Sequence, residues 1–251
     1  MYKEKLRMKI QEYIQSLIYL SNTSERNVQE FCQAIPLGVG DDNQPVFAHK
    51  EVCPARYHHI CVTGEKRGEY IRRLILSLCK LYGQDNVSFL VLSPDKAYGE
   101  LLHLKDADIT VPFINRYADC TSCLETLREL VRMRTAGEEN YAKLFVVLDG
   151  LEDVADEKGE KQSFECFKPF FDVVGASGVE IVTGVDLEKS IFSGYPGAFV
   201  GHGNALVSTD VLGKADVTYV GVDSCLSLPL SVSYPDGASV ADCVFALNAN
   251  E

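Results

Sequence analysis

Apolar positions recur at helical spacing from Leu6 through Ile10, Tyr13, Ile14 and Leu17, with Lys5, Lys9, Glu12 and Gln15 on the other face, which predicts an amphipathic docking helix. Ser24 is placed to cap a second helix that runs to about Ala34, and Pro36 stands beyond it as a stop. Pro36 to Val39 and Pro45 to His49 flank the turn formers Asp41, Asp42 and Asn43 and predict a strand pair. The period then alternates. His58 to Thr63 reads as a strand, Gly68 to Tyr82 as a helix, Val87 to Ser93 as a strand, Thr121 to Thr135 as a helix and Leu144 to Asp149 as a strand. Strands alternating with helices imply a parallel sheet covered on both faces, with ligands favoured at the carboxyl ends of the strands. After Gly178 the texture changes to short β-rich pieces, Val179 to Thr183, Ala205 to Ser208, Val217 to Val222 and Cys243 to Leu247, punctuated by glycine and proline.

With 46% hydrophobic residues in 251, the chain can bury roughly three quarters of its unfolded surface. The expected organisation is a helical extension over 1–34 and one α/β domain over 35–251. Apolar runs such as Leu144 to Leu148 are far too short to span a bilayer. The opening Met1-Tyr2-Lys3-Glu4-Lys5 alternates charge where a secretory signal would turn apolar, so a cytoplasmic location without membrane insertion in this segment is expected. A net charge of −12 repels the phosphates that a sequence-independent nucleic-acid grip must neutralise, which disfavours DNA as a partner. Nine scattered cysteines, several inside apolar runs, suit a reducing compartment.

The succession Ile35-Pro36-Leu37-Gly38-Val39-Gly40, Pro45-Val46, the strand ending Thr63-Gly64, and then Ile71 to Leu78 resembles the opening of the FtsK/SpoIIIE motor domain in order and spacing. The strand Leu144-Phe145-Val146-Val147-Leu148-Asp149 resembles that family's second nucleotide motif, and the match covers roughly 35 to 185. Within the family, this degenerate form is similar to the later ATPase modules of the type VII secretion motors, the EssC/EccC proteins. The resemblance implies a P-loop NTPase-like, RecA-type three-layer α/β fold with a mostly parallel central sheet and a β-rich C-terminal part.

A working phosphate loop reads Gly-x-x-x-x-Gly-Lys-Ser/Thr: glycines let backbone N–H groups wrap the phosphates, the lysine reaches the β and γ groups, and the hydroxyl holds magnesium. Placed here without gaps, those four positions fall on Cys61, Lys66, Arg67 and Gly68. Arg67 keeps a charge, but its planar fork does not replace a compact ammonium. Gly68 has no oxygen to offer a metal, which removes a stabiliser of the transferred phosphoryl group. Asp149 ends its strand as a metal-orienting aspartate should, yet Gly150 stands where the family carries its water-activating acid. Gly184 and Val185 fall on the sensor positions and are bare or apolar.

Thr63, Gly64, Lys66, Arg67 and Asp149 are therefore expected to form a vestigial nucleotide pocket without catalytic or metal-holding residues. No cofactor is expected. Weak phosphate or nucleotide contact remains open, because those residues precede a helix whose N–H groups attract anions, but ATP with magnesium is disfavoured. Three broken motifs in a retained framework imply a non-hydrolysing module that docks neighbouring motor modules or subunits, or recognises secreted protein substrates, on the cytosolic face of a larger membrane-anchored protein. The enzyme alternative is a slow or partner-activated ATPase; a DNA translocase fragment is the third reading.

Other features read blandly. Cys120-Thr-Ser-Cys123 has dithiol spacing, but Ser122 and Glu125 form a helix-start signature that accounts for the sequence without redox chemistry, and zinc would need two more ligands. His58 and His59 point to opposite sides of a strand and cannot chelate together. The acidic run Glu152, Asp153, Asp156, Glu157, Glu160 is expected to be a solvated loop.

Overall fold

The computed structural model describes residues 34–40, 45–49, 59–82, 87–105, 107–136, 143–159, 166–171, 174, 179–186, 205–210, 214–220, 225–231 and 240–248. The two helices expected before Ala34 lie outside them. The first described element is β1 (Ala34–Gly40), so Ala34 opens a strand and does not close a helix. It pairs antiparallel with β2 (Pro45–His49), as expected for the strand pair.

The central unit runs β3 (His59–Gly64), α1 (Arg67–Tyr82), β4 (Val87–Leu92), a 3-10 helix (Lys96–His103), β5 (Asp108–Thr110), α2 (Tyr117–Ala136), β6 (Lys143–Asp149), α3 (Lys168–Phe171) and β7 (Val179–Gly184). Then follow β8 (Ala205–Thr209), β9 (Ala215–Val220), β10 (Cys225–Ser231) and α4 (Val240–Asn248). All described strands form one sheet in the order β2-β1-β10-β9-β8-β3-β7-β6-β4-β5. From β8 to β5 every neighbouring pair is parallel, whereas β9, β10, β1 and β2 extend the sheet with antiparallel pairs.

Strands β3, β6 and β7 are buried at nearly every consecutive position, as strands covered on both faces are. Side chains alternate between two cores. Phe145 and Val147 of β6 join Ile71, Leu74, Ile75 and Leu78 of α1 and Val240, Cys243 and Val244 of α4. Leu144, Val146 and Leu148 join Cys120, Leu124, Leu127 and Val131 of α2 and the phenylalanines at 167, 170 and 171. Helices on both faces of the sheet make the three layers.

Three sequence expectations need correction. Cys243 to Leu247 is helical, with Val240, Cys243 and Val244 buried and Phe245 exposed; a five-residue apolar run does not by itself separate strand from buried helix. Helix α2 begins at Tyr117, so Ser122 lies inside it, where its carbonyl accepts from Thr126 Oγ1 at 3.2 Å. The N-terminus is held instead by Asp119, whose carboxylate accepts from the Arg116 N–H at 3.2 Å, a reach back of three residues as in a capping box. Strands β5 and β10 were not anticipated: β5 is only three residues long, and Pro229 in β10 argues against a strand between two partners, yet it sits opposite Asp216 of β9.

Strand β3 sends the chain past β7 and β6 to β4, while its neighbour β7 sends it back across β3 to β8. That reversal is a topological switch point, and the crevice such a point creates lies beyond the carboxyl ends of the strands.

Candidate functional site at the strand ends

A cavity of about 500 Å³ opens there, walled by Glu65 to Glu69 and Arg72 after β3, Ser93 to Asp95 after β4, and Asp149, Gly150 and Asp153 after β6. Its size is that of a small-molecule site. Lys66, Arg67 and Asp149, three of the five residues singled out from sequence, line it. Thr63 and Gly64 do not. Both are strand residues paired with β8, the Thr63 carbonyl accepting from Thr209 Oγ1 at 2.8 Å. Gly64 has φ +96, and an added Cβ would strike the Thr209 carbonyl, so only glycine fits.

The first half of the stretch placed on a phosphate loop is strand. Cys61, Val62, Thr63 and Gly64 stand in register with Leu206, Val207, Ser208 and Thr209, and Cys61 and Val62 also with Thr183 and Gly184. Only Glu65 and Lys66 separate the strand from α1. The backbone groups of Cys61 to Gly64 thus lie in the sheet, not in a cradle for phosphates.

Arg67, at the first position of α1, reaches across the cavity floor. Its Nε lies 3.0 Å from Asp149 Oδ1 and its Nη2 3.2 Å from Glu152 Oε1. Burial lowers the Arg67 pKa while the two carboxylates raise it, and the net is upward, so the guanidinium stays charged. The second Asp149 oxygen accepts from the hydroxyl of fully buried Tyr98 at 2.9 Å. Burial first, and then Asp149, push the Tyr98 phenol well above its ordinary value, which keeps it a neutral donor.

Glu152 corrects the expectation of a solvated loop. Gly150 turns the chain with φ +70 into a single 3-10 turn, Leu151–Asp153, which folds Glu152 inward until only 8% of it is exposed. Its Oε1 also accepts from the Asp186 N–H at 2.9 Å, and burial raises its pKa. Asp153 and Glu157 are exposed as expected. Gly184, read as a bare sensor position, has a packing reason: an added Cβ would collide with the Asp149 carboxylate. Tyr98 and Glu152 were missed as site residues. Glu152 lay within an acidic run, and nothing local marks Tyr98, which is 51 residues from its partner.

The wall carries five carboxylates, Glu65, Glu69, Asp95, Asp149 and Asp153, against Lys66, Arg67 and Arg72. All three cations are paired: Lys66 lies 3.6 Å from Glu69, Arg72 3.4 Å from Asp95, and Arg67 bridges as above. The Gly68 Cα lies where a Cβ would be 3.4 Å from Asp149 Oδ2, so the position faces the aspartate without a hydroxyl.

The remaining chemistry-bearing residues sit elsewhere. His59 is buried, 3.1 Å through Nε2 from Thr183 Oγ1 and packed on Phe171, whereas His58 lies outside the described residues. Cys120 is buried in the first turn of α2, within hydrogen-bonding reach of Cys166, and burial raises the Cys123 thiol, opposite to what a reactive dithiol needs.

The layers, the strand order and the cavity at the switch point define an α/β fold of the P-loop NTPase kind. Solved structures share it: EssC (ATPases 2 and 3) from Geobacillus thermodenitrificans, with a TM-score of 0.62 and 12% identity over 86% of this chain and 47% of that one. Thermomonospora curvata EccC (ATPases 2 and 3) in complex with a signal sequence peptide gives a TM-score of 0.61 and 11% identity over 85% of this chain and 43% of that one. The pCW3 conjugation coupling protein TcpA with ATPgS gives 0.54 and 12% over 91% and 73%. The chain thus spans less than half the length of the EssC and EccC chains it matches. At such identities the likeness is one of fold, and it agrees with the FtsK/SpoIIIE-type resemblance read from the motifs. No protein-family model matches the chain, and no curated protein matches it in sequence.

Proposed function

We propose that this chain is a non-hydrolysing FtsK/SpoIIIE-like module that serves as a protein-docking, regulatory or substrate-recognition domain of a type VII secretion motor. The observation that carries the reading is the Arg67 bridge: one guanidinium occupies both Asp149, read as the metal-orienting aspartate, and Glu152, two residues beyond the position read for the water-activating acid. Mg-ATP does not fit these residues. The first half of the loop, Cys61 to Gly64, is committed to the sheet, Gly68 offers no oxygen, and Asp149 is taken up by Arg67 and Tyr98. A wall with more carboxylates than cations repels a polyphosphate.

A framework kept without its chemistry serves by its surface. The likeness to EssC and EccC, whose structures hold ATPases 2 and 3 together and in one case a signal sequence peptide, supports a place beside other motor modules. The partners are then neighbouring modules or subunits, or secreted protein substrates.

Isothermal titration of the purified chain with Mg-ATP, paired with a phosphate-release assay, tests the reading. The expected result is no binding at micromolar concentrations and no turnover. Micromolar binding with turnover that Asp149→Ala abolishes would overturn it. The size of the cavity and the half-exposed Lys66 beside it favour a second reading, a partner-activated ATP-binding module. Binding that requires magnesium and appears only with a neighbouring module present separates that case.

A further inference from the structure

We propose that the cavity mouth and an apolar shelf beside it form one docking surface, whose occupant is a basic, partly apolar segment of a partner polypeptide. The proposal rests on the docking reading above and names the chemistry of what docks.

The shelf is fastened to the cavity wall by backbone. Phe113 is bridged to Ser93, and the Ile114 N–H donates to the Ser93 carbonyl at 3.0 Å. The Phe113 ring lies over Gly99, where an added Cβ would stand 3.6 Å from its edge. Gly99 and Leu102 are three apart in the 3-10 helix, whose three-residue turn stacks such positions on one side. Leu102 therefore continues the surface that begins at Phe113. The two side chains are 50% and 38% exposed, for Leu102 and Phe113 in turn, and give the cavity an apolar rim on this side.

Charge selects the occupant. The cavity wall has five carboxylates against three cations, and counting Lys96 and Glu100 of the neighbouring 3-10 helix leaves the excess at two. The chain as a whole carries −12. An ammonium or guanidinium is drawn to such a mouth, and a lysine or arginine lays its aliphatic stem along apolar surface while its head stays with the carboxylates. A second copy of the chain brings the same negative charge and is disfavoured.

Two synthetic helical peptides with the same leucine face, one bearing lysine and arginine and the other glutamate, are titrated against the full chain by fluorescence anisotropy without nucleotide. The basic peptide is expected to bind and the acidic one to bind at least about tenfold more weakly. Leu102→Ser, alone and with Phe113→Ser, should weaken the basic peptide about tenfold at unchanged Tm, and Asp95→Asn should flatten its salt dependence. Equal binding of both peptides, or undiminished binding by Leu102→Ser, overturns the proposal. So does a concentration-dependent dimer that Leu102→Ser abolishes, which would make the occupant a second copy. Mg-ATP turnover would end the non-hydrolysing reading and leave the peptide result standing; failed peptide binding without turnover ends only this proposal.

Discussion

Arg67 Nε lies 3.0 Å from Asp149 Oδ1, so the residue that the motif reading sets in place of a phosphate-binding lysine is bonded to the one it sets in place of a metal-orienting aspartate. Removing the guanidinium strands two carboxylates that are each about 95% buried. Arg67→Ala should cost about 3 kcal/mol, read from urea denaturation at neutral pH. A loss below about 0.5 kcal/mol would mean the bridge contributes as little as a surface pair.

Tyr98→Phe removes one hydroxyl and leaves a buried carboxylate oxygen short of its donor. The expected cost is about 1.5–3 kcal/mol, because the lost hydrogen bond is to a charged group. In an alkaline spectrophotometric titration the variant should lose a phenol that ionises well above 10, since burial and Asp149 raise Tyr98.

Gly184→Ala pushes a methyl into an Asp149 side chain that Arg67 and Tyr98 hold in place. Overpacking of this kind costs about 1–3 kcal/mol. Gly159→Ala is the control: its φ is +69 but nothing lies within 4 Å, so only the backbone penalty of about 1 kcal/mol applies. Thermal melts of the two variants should rank accordingly.

Two glutamates near the cavity should respond to pH with opposite sign. Glu152 has its pKa raised above 4.5 by burial, so the stability linked to it is full below that value and is lost as pH rises through the folded value. Burial acts upward on Glu69 as well, but its bonds to Arg73 prevail and lower it, so its contribution is present above 4.5 and is lost as pH falls. From about pH 4 to about pH 7, Glu152→Gln should gain on the wild type and Glu69→Gln should fall behind it. Denaturation curves across that range check both slopes.

Arg67→Lys combined with Gly68→Ser restores two residues of the phosphate-loop pattern. It should restore no Mg-ATP turnover, because Cys61 to Gly64 stay in register with β8 and no cradle re-forms. Phosphate release above background in this double variant would show that side chains, and not the backbone, are what the site lacks.

Local pattern alone carried β3, α1, β4, α2, β6 and β7, though not β5 or α3, because a period of two or of 3.6 residues is written into neighbouring positions when the element is long enough. It carried as well the identities of Lys66, Arg67 and Gly68, which depart from the phosphate-loop pattern, and the acidity that repels phosphate. Only the tertiary structure decided that Arg67 bonds Asp149 across 82 residues, that Glu152 turns inward, and that Gly184 is bare to make room for a carboxylate. Those contacts follow from the order in which strands lie side by side, and strand order is set by packing among distant segments, which no periodicity within one segment records.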